Sequence, residues 1–184
     1  MTSIILLSLA AVAVIFVVIV ALQPSRFRVA RSRFIEAPAS VVFKKVNDLH
    51  EFQTWSPFAK IDPDAKTQYE GPAAGAGASF SWAGNHKAGE GTMLITKSQR
   101  DELVRFKLDF RKPFAATNTA EFVFEPQGDQ TTVTWSMSGK NNLFFKAFSL
   151  FMNCEKMVGA EFETGLNSLK ALCESSTEKM FAGR

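Results

Sequence analysis

Tyrosine is nearly missing from this chain: one residue in 184, against 18 phenylalanines and 3 tryptophans. Phenylalanine has no polar handle, so this composition favours dry internal surface over hydrogen-bonded recognition. Histidine is almost as scarce. His50 and His86 are the only two, and neither stands in an H-E-x-x-H or similar cluster. The two cysteines, Cys154 and Cys173, lack zinc spacing, so no metal is expected. Both fall in one predicted helix, whose rise separates them by roughly 28 Å and excludes a disulfide between them. They read as buried thiols in a reducing compartment. Charge of one sign is also lacking: the net is +3, with both signs mixed along the chain, so no nucleic-acid partner is expected. The glycine-rich stretch from Gly71 to Gly77 precedes a strand rather than a helix N-terminus, which disfavours a phosphate loop. No G-x-S-x-G elbow occurs, and no cofactor is expected.

What is present begins at the N-terminus. Residues 1–25 carry no charged side chain. The run from Ile4 to Leu22 is apolar apart from Ser8. About fourteen of its residues are Leu, Ile, Val or Phe, which sums to roughly −4 to −8 kcal/mol for insertion into a bilayer. At about 19 residues the run is long enough to span one. A cleaved signal peptide would want a basic start and a small-x-small site. Neither is found, so residues 1–25 are expected to be an uncleaved single-pass anchor, with residues 4–22 in the membrane. Arg26, Arg28, Arg31 and Arg33 follow directly, and nothing basic precedes. The positive-inside rule then leaves the soluble domain in the cytoplasm. The same arginines could instead be the polar side of a first strand.

The remaining length suits one domain. Residues 27–36 alternate and read as a first strand. Ala37-Pro38-Ala39-Ser40 opens a helix with Val42, Phe43, Val46 and Leu49 on one face. Residues 48–55 form a second short helix, stopped by Ser56-Pro57. Six strands follow: residues 67–70, 78–83, 91–97, 103–111, 117–125 and 131–138. The fourth of them is the clearest. Val104, Phe106, Leu108 and Phe110 face one way, and Arg105, Lys107, Asp109 and Arg111 the other. Short turns between sequential strands mean an antiparallel meander.

Residues 144–173 organise the rest. On a helix, Phe144, Phe148, Phe151, Val158, Phe162, Leu166, Leu169 and Cys173 fall within about 40° of one line. Such a stripe needs a broad apolar surface to cover, and the inward faces of the strands provide it. The fold class is therefore α+β: a curved antiparallel sheet, ordered β-αα-β6-α, around a long C-terminal helix, plus the N-terminal transmembrane helix. Residues 26–174 form the domain. Residues 175–184, with weak periodicity, are expected to fray.

At this point the chain resembles the START-like (helix-grip) SRPBCC superfamily, and within it the polyketide cyclase/dehydrase and lipid-transport group. The resemblance rests on Arg31-Ser32 to Ala37-Pro38 with Val42-Phe43 and Asp48-Leu49, on Trp55-Ser56-Pro57-Phe58, and on Tyr69-Glu70-Gly71-Pro72. Gly89-Glu90-Gly91 and the run from Met157-Val158-Gly159 to Leu169-Lys170 complete it. It covers roughly residues 27–174. It implies a deep apolar cavity between the sheet and the last helix. Motifs of this kind specify the fold better than the function.

The candidate ligand-binding residues are Trp55, Phe80, Trp82, Met93, Phe106, Phe110, Phe122, Trp135, Met137, Phe151 and Phe162. Each alone could be plain core; together, given the resemblance, they read as cavity lining. Glu155 lies about 20° from the centre of the apolar stripe. It is the candidate polar anchor, or general acid/base, inside the cavity. Its alternative is a helix-start carboxylate next to an Asn153 cap. Glu90, between two glycines, is a weaker candidate for an inward position. Three functions compete. The first is a membrane-anchored module that binds a hydrophobic small molecule or lipid. The second is a cyclase or dehydratase acting on a hydrophobic substrate. The third is an interaction or stability module with a filled core.

Overall fold

A computed structural model describes residues 2–141, 143–150 and 154–182. Helix α1 (Thr2–Leu22) is followed at once by strand β1 (Arg26–Ile35), helices α2 (Ala39–Asn47) and α3 (Leu49–Trp55), and a 3-10 turn at Pro57–Lys60. Then come β2 (Lys66–Glu70), β3 (Ser79–Ala83), β4 (Glu90–Gln99), β5 (Leu103–Lys112), β6 (Ala116–Gln127) and β7 (Gln130–Lys140). Helices α4 (Leu143–Ser149) and α5 (Cys154–Ala182) end the chain. The seven strands make one antiparallel sheet in the order β1-β7-β6-β5-β4-β3-β2. The α+β architecture of an antiparallel sheet and a long C-terminal helix is thus as the sequence pattern predicts, and it is the helix-grip fold that the resemblance implies.

Local chemistry explains the short helices. The Asp48 carboxylate accepts from the backbone N–H of His50 at 2.9 Å and of Glu51 at 3.3 Å, an N-cap that starts α3. Pro57 follows Trp55 and Ser56 and ends it. The Trp55 ring is buried, and its indole N–H donates to the Lys45 carbonyl at 2.9 Å. That bond ties α3 to α2 over the far end of the sheet.

Helix α5 is held from two sides. Phe162, Leu166, Leu169 and Cys173 are buried against the sheet. Burial pushes the Cys173 thiol up to about 12, so it stays protonated and unreactive. From the other side β1 reaches across. The Arg31 guanidinium donates to Glu163 at 2.7 Å and to Glu155 at 3.0 Å. Arg33 bonds Asn167, and the Glu36 backbone N–H donates to Glu174 at 2.8 Å. Arg31 and Arg33 therefore do not form the wet face of β1. They share the odd-numbered face with Val29 and Ile35 and clamp the helix over this edge strand.

Two glycines permit the grip, and they differ. A Cβ on Gly159 would meet only the Arg31 guanidinium, the far end of a flexible chain. A Cβ on Gly165 would sit 2.7 Å from the Trp135 ring and 2.9 Å from Pro57, neither free to move. Gly165→Ala is therefore expected to lose about 1–3 kcal/mol. Gly159→Ala should lose less, because a helical alanine gains about 1 kcal/mol over glycine and offsets the displacement of Arg31 from its exposed ion pairs, which are weak in water. Guanidinium titration of the two variants checks the contrast.

The C-terminal helix differs from its expected form in two ways. It is not one rod. The first piece, α4, lies against the end of α1, whereas α5 packs on the sheet, so the two pieces have different partners. The Ser149 hydroxyl donates to the Lys146 carbonyl at 2.8 Å, a local bond that competes with helix continuation. Phe151 and Asn153 lie outside the described residues. The helix also runs on to Ala182, through residues expected to fray. Hydroxyls of Ser175, Ser176 and Thr177 bond back to carbonyls of Leu172 and Cys173 in that stretch.

Candidate functional site

A cavity of about 390 Å³ lies between the sheet and α5. That falls within the range of small-molecule sites. Its floor is the inner face of the sheet: Phe80, Trp82, Met93, Phe106, Phe110, Phe122, Trp135 and Met137 all line it. Phe162 lines it from α5. These nine of the candidate residues are brought together as cavity lining.

Two candidates are not, and a third lies outside the described residues. Trp55 is buried behind the cavity, edge-on to Phe122 and Trp135, with centroids 5.9 and 5.8 Å away. Phe151 is outside the described residues. Glu155 does not point inward: its side chain is 58% exposed and paired with Arg31. It sits at the very start of α5, where the exposed rim of the helix faces β1 rather than the sheet floor. The helix-start reading of Glu155 is the better one. Glu90 is also turned away, bonded to Lys112 and Arg111 at 2.9 Å each. Lys112, then Arg111, hold its carboxyl below the usual carboxylate range.

The lining also includes residues the strand pattern could not supply. Phe52, Gln53 and Ser56 come from α3 and its end; Phe58, Ala59, Ile61, Asp62, Pro63 and Ala65 come from the 3-10 turn and the loop after it. Apolar residues at 58, 59, 61, 63 and 65, in a stretch without strand or helix period, were the available signal. Thr67, Ala88, Leu108, Ala120 and Val158 complete the inner surface. Asp62 is the one ionisable group among the described lining residues. Its carboxylate already accepts from the backbone N–H of Asn85 at 2.6 Å and of Asp64 at 3.3 Å.

The cavity has a closed end and an open end. Along β5, Phe106 is buried and Phe110 partly exposed. Along β7, Trp135 is buried and Met137 partly exposed. The same gradient runs from Phe80 to Trp82 on β3 and from Phe162 to Val158 on α5. Strand register fixes which end this is. Arg26 pairs with Lys140, Gly139 with Asn118, Phe110 with Ala116, and Ala83 with Glu90. The open end is therefore the end at which β1 begins, directly after α1. Ile61 stands exposed next to Asp62, whose bond to Asn85 brings the loop to this end, whereas Phe58 lies edge-on to Trp135 nearer the closed end. The sheet's other end is covered by α2 and α3 through Val42, Val46, Leu49 and Phe52.

The closed end is built around stacked aromatic rings. Trp135 stacks on Phe162 with centroids 4.1 Å apart and on Phe122 at 4.8 Å. Gly91 gives room on the floor: a Cβ there would lie 2.6 Å from the Trp82 ring.

Comparison with known proteins places this geometry. Protein CV1439 from Chromobacterium violaceum superposes with a TM-score of 0.58 at 13% identity, over 83% of this chain and 99% of that one. Ginseng major latex-like protein 151 from Panax ginseng gives 0.58 at 12% identity, over 82% and 99%. The Aha1 dimer from Colwellia psychrerythraea gives 0.58 at 15%, over 80% and 96%. At these identities the likeness is one of fold. No curated protein matches the sequence at a significant level. The family model described as polyketide cyclase/dehydrase and lipid transport matches residues 26–174. With that match, the cavity under α5 and the helix-grip topology agreeing, the chain belongs to the polyketide cyclase/dehydrase and lipid transport family, as the START-like resemblance implies.

Proposed function

We propose that this chain is a membrane-anchored binding protein for an apolar small molecule or lipid, which reaches the cavity from the bilayer side. The observation that carries this reading is directional. The open end of the cavity is the end of the sheet from which α1 departs. Within α1, Ile5–Leu22 is 18 residues long and apolar enough to cross a bilayer. Gln23, Pro24 and Ser25 alone separate the span from β1, which keeps the sheet within roughly 15 Å of the membrane. The lining is mostly apolar, and the one carboxylate among its described residues is committed to backbone donors, which favours binding over acid–base turnover. Exposed Arg26 and Arg28 beside the span favour a cytoplasmic domain by the positive-inside rule.

The test is recovery of ligand. The full chain, purified in detergent and exhaustively exchanged, should retain close to one apolar compound per protein on solvent extraction and mass spectrometry. A chain that carries none, and takes up none from vesicles of labelled phospholipid, would sink the reading.

A further inference from the structure

Helix α4 packs against the end of α1 rather than along the floor of the sheet as α5 does. Residues 143–153 hold a single charged side chain, Lys146. A helix facing water would keep that charge in water. Here Lys146 is turned inward: it is 8% exposed, and its ammonium donates to the Ala21 carbonyl at 3.2 Å. A cation on the last carbonyls of α1 complements that helix's dipole and fixes α4 to its end. Nearby, the Asn141 side chain donates to the Pro24 carbonyl at 3.2 Å, and its backbone N–H to Ser25 at 3.0 Å. On the cavity side, Phe145 meets Phe114 of the β5–β6 loop edge-on, with centroids 6.1 Å apart.

With its one charge buried, α4 turns only uncharged surface outward. Leu143 is 68% exposed and Phe148 38%, and Leu150, in the turn just after the helix, is 37% exposed. Phe114 adds a further exposed ring. The exposed Leu143 and Leu150, about two helical turns apart, share one side of α4, which begins where the span ends and stands at the open end of the cavity. Arg26, Arg28 and Lys140 are exposed on the adjoining strand ends, a charge pattern that suits anionic headgroups.

We infer that α4 is a second membrane contact, an interfacial helix whose Leu143 and adjoining Leu150 enter the headgroup–acyl boundary and seat the cavity mouth on the lipid surface. The inference rests on the proposed membrane anchoring and deepens it. The anchor alone would leave the domain free to swing on its short linker. The Lys146 bond and the immersed face of α4 together set its tilt, so that the opening by Phe110, Met137 and Val158 meets the bilayer rather than water.

The experiment places single nitroxides on the full chain in vesicles of phosphatidylcholine with phosphatidylglycerol. Cys154→Ser removes one native thiol, and buried Cys173 stays unlabelled in the folded chain. Labels at Val12→Cys, Leu143→Cys, Leu150→Cys and Arg100→Cys are compared for collision with oxygen, which prefers lipid, and with a nickel chelate, which prefers water. Position 100 lies at the far end of the sheet, in the turn between β4 and β5. The expected result is a label at 12 deep in hydrocarbon, labels at 143 and 150 shielded on the order of tenfold from nickel relative to 100, and 100 in water. Water-like collision at 143 and 150, with 12 still in hydrocarbon, overturns the interfacial helix and leaves the anchor standing. Water-like collision at 12 overturns the anchor and this inference with it.

Discussion

Trp135→Ala is expected to lose about 3–5 kcal/mol of folding stability. Trp135 is the hub of the closed end. One face of its ring stacks on Phe162 and another neighbour, Phe122, lies nearly parallel. Phe52, Trp55 and Phe58 meet it edge-on, with centroids 6.3, 5.8 and 6.0 Å away. Removing the indole thus strips the contact between sheet, α3 and α5 at one point. The cavity next to it makes matters worse, because the void left behind merges with space already empty and cannot collapse. A domain with the usual 5–15 kcal/mol of stability would lose a large share. Guanidinium titration, followed by fluorescence of Trp55 and Trp82, measures it. A loss below about 1 kcal/mol would show that the helix is not held through this ring.

Much of this arrangement can be read from residue order. The period-2 alternation of β5 and β7 assigns Phe106, Phe110, Trp135 and Met137 to one face, and the closed sheet face needs them there. The 3.6-residue stripe assigns Phe162, Leu166, Leu169 and Cys173 to the face of α5 that is buried. Both patterns are local, so they survive in sequence. What they miss is set by partners far along the chain. Extending the stripe back to Phe144 treats 144–173 as one helix, but Lys146 is claimed by a carbonyl more than a hundred residues earlier. Helical angle alone puts Glu155 inward. Arg31 on β1 decides otherwise, by giving its carboxylate a partner at the rim. The loop side of the cavity, from Phe58 to Ala65, has no period at all. Its residues line the site because Pro57 ends α3 and turns the chain back over the opening.

Filling the cavity is expected to abolish binding while leaving the fold intact. Ala120 is the residue for this. It lies on β6 between Phe106 and Met137 in the register of the sheet, buried on the inner face and lining the cavity. In a filled core, an enlarged side chain forces its neighbours off their rotamers and costs about 1–3 kcal/mol. At Ala120 the indole of Ala120→Trp has about 390 Å³ to enter. It takes apolar surface out of water without displacing protein, so stability should hold or rise. The same ring occupies the space a ligand would need. Affinity should fall at least 100-fold, equivalent to about 2.7 kcal/mol. Extraction of the full-chain variant should then recover less than about a tenth of the compound carried by the parent chain, under identical detergent exchange. The comparison separates the readings cleanly. Lipid that merely coats α1 is shared by both chains and cancels. A filled core predicts a destabilised variant; a cavity that binds predicts a stable and empty one. A variant as stable as the parent, and as fully loaded, would mean that the compound sits somewhere other than beneath α5.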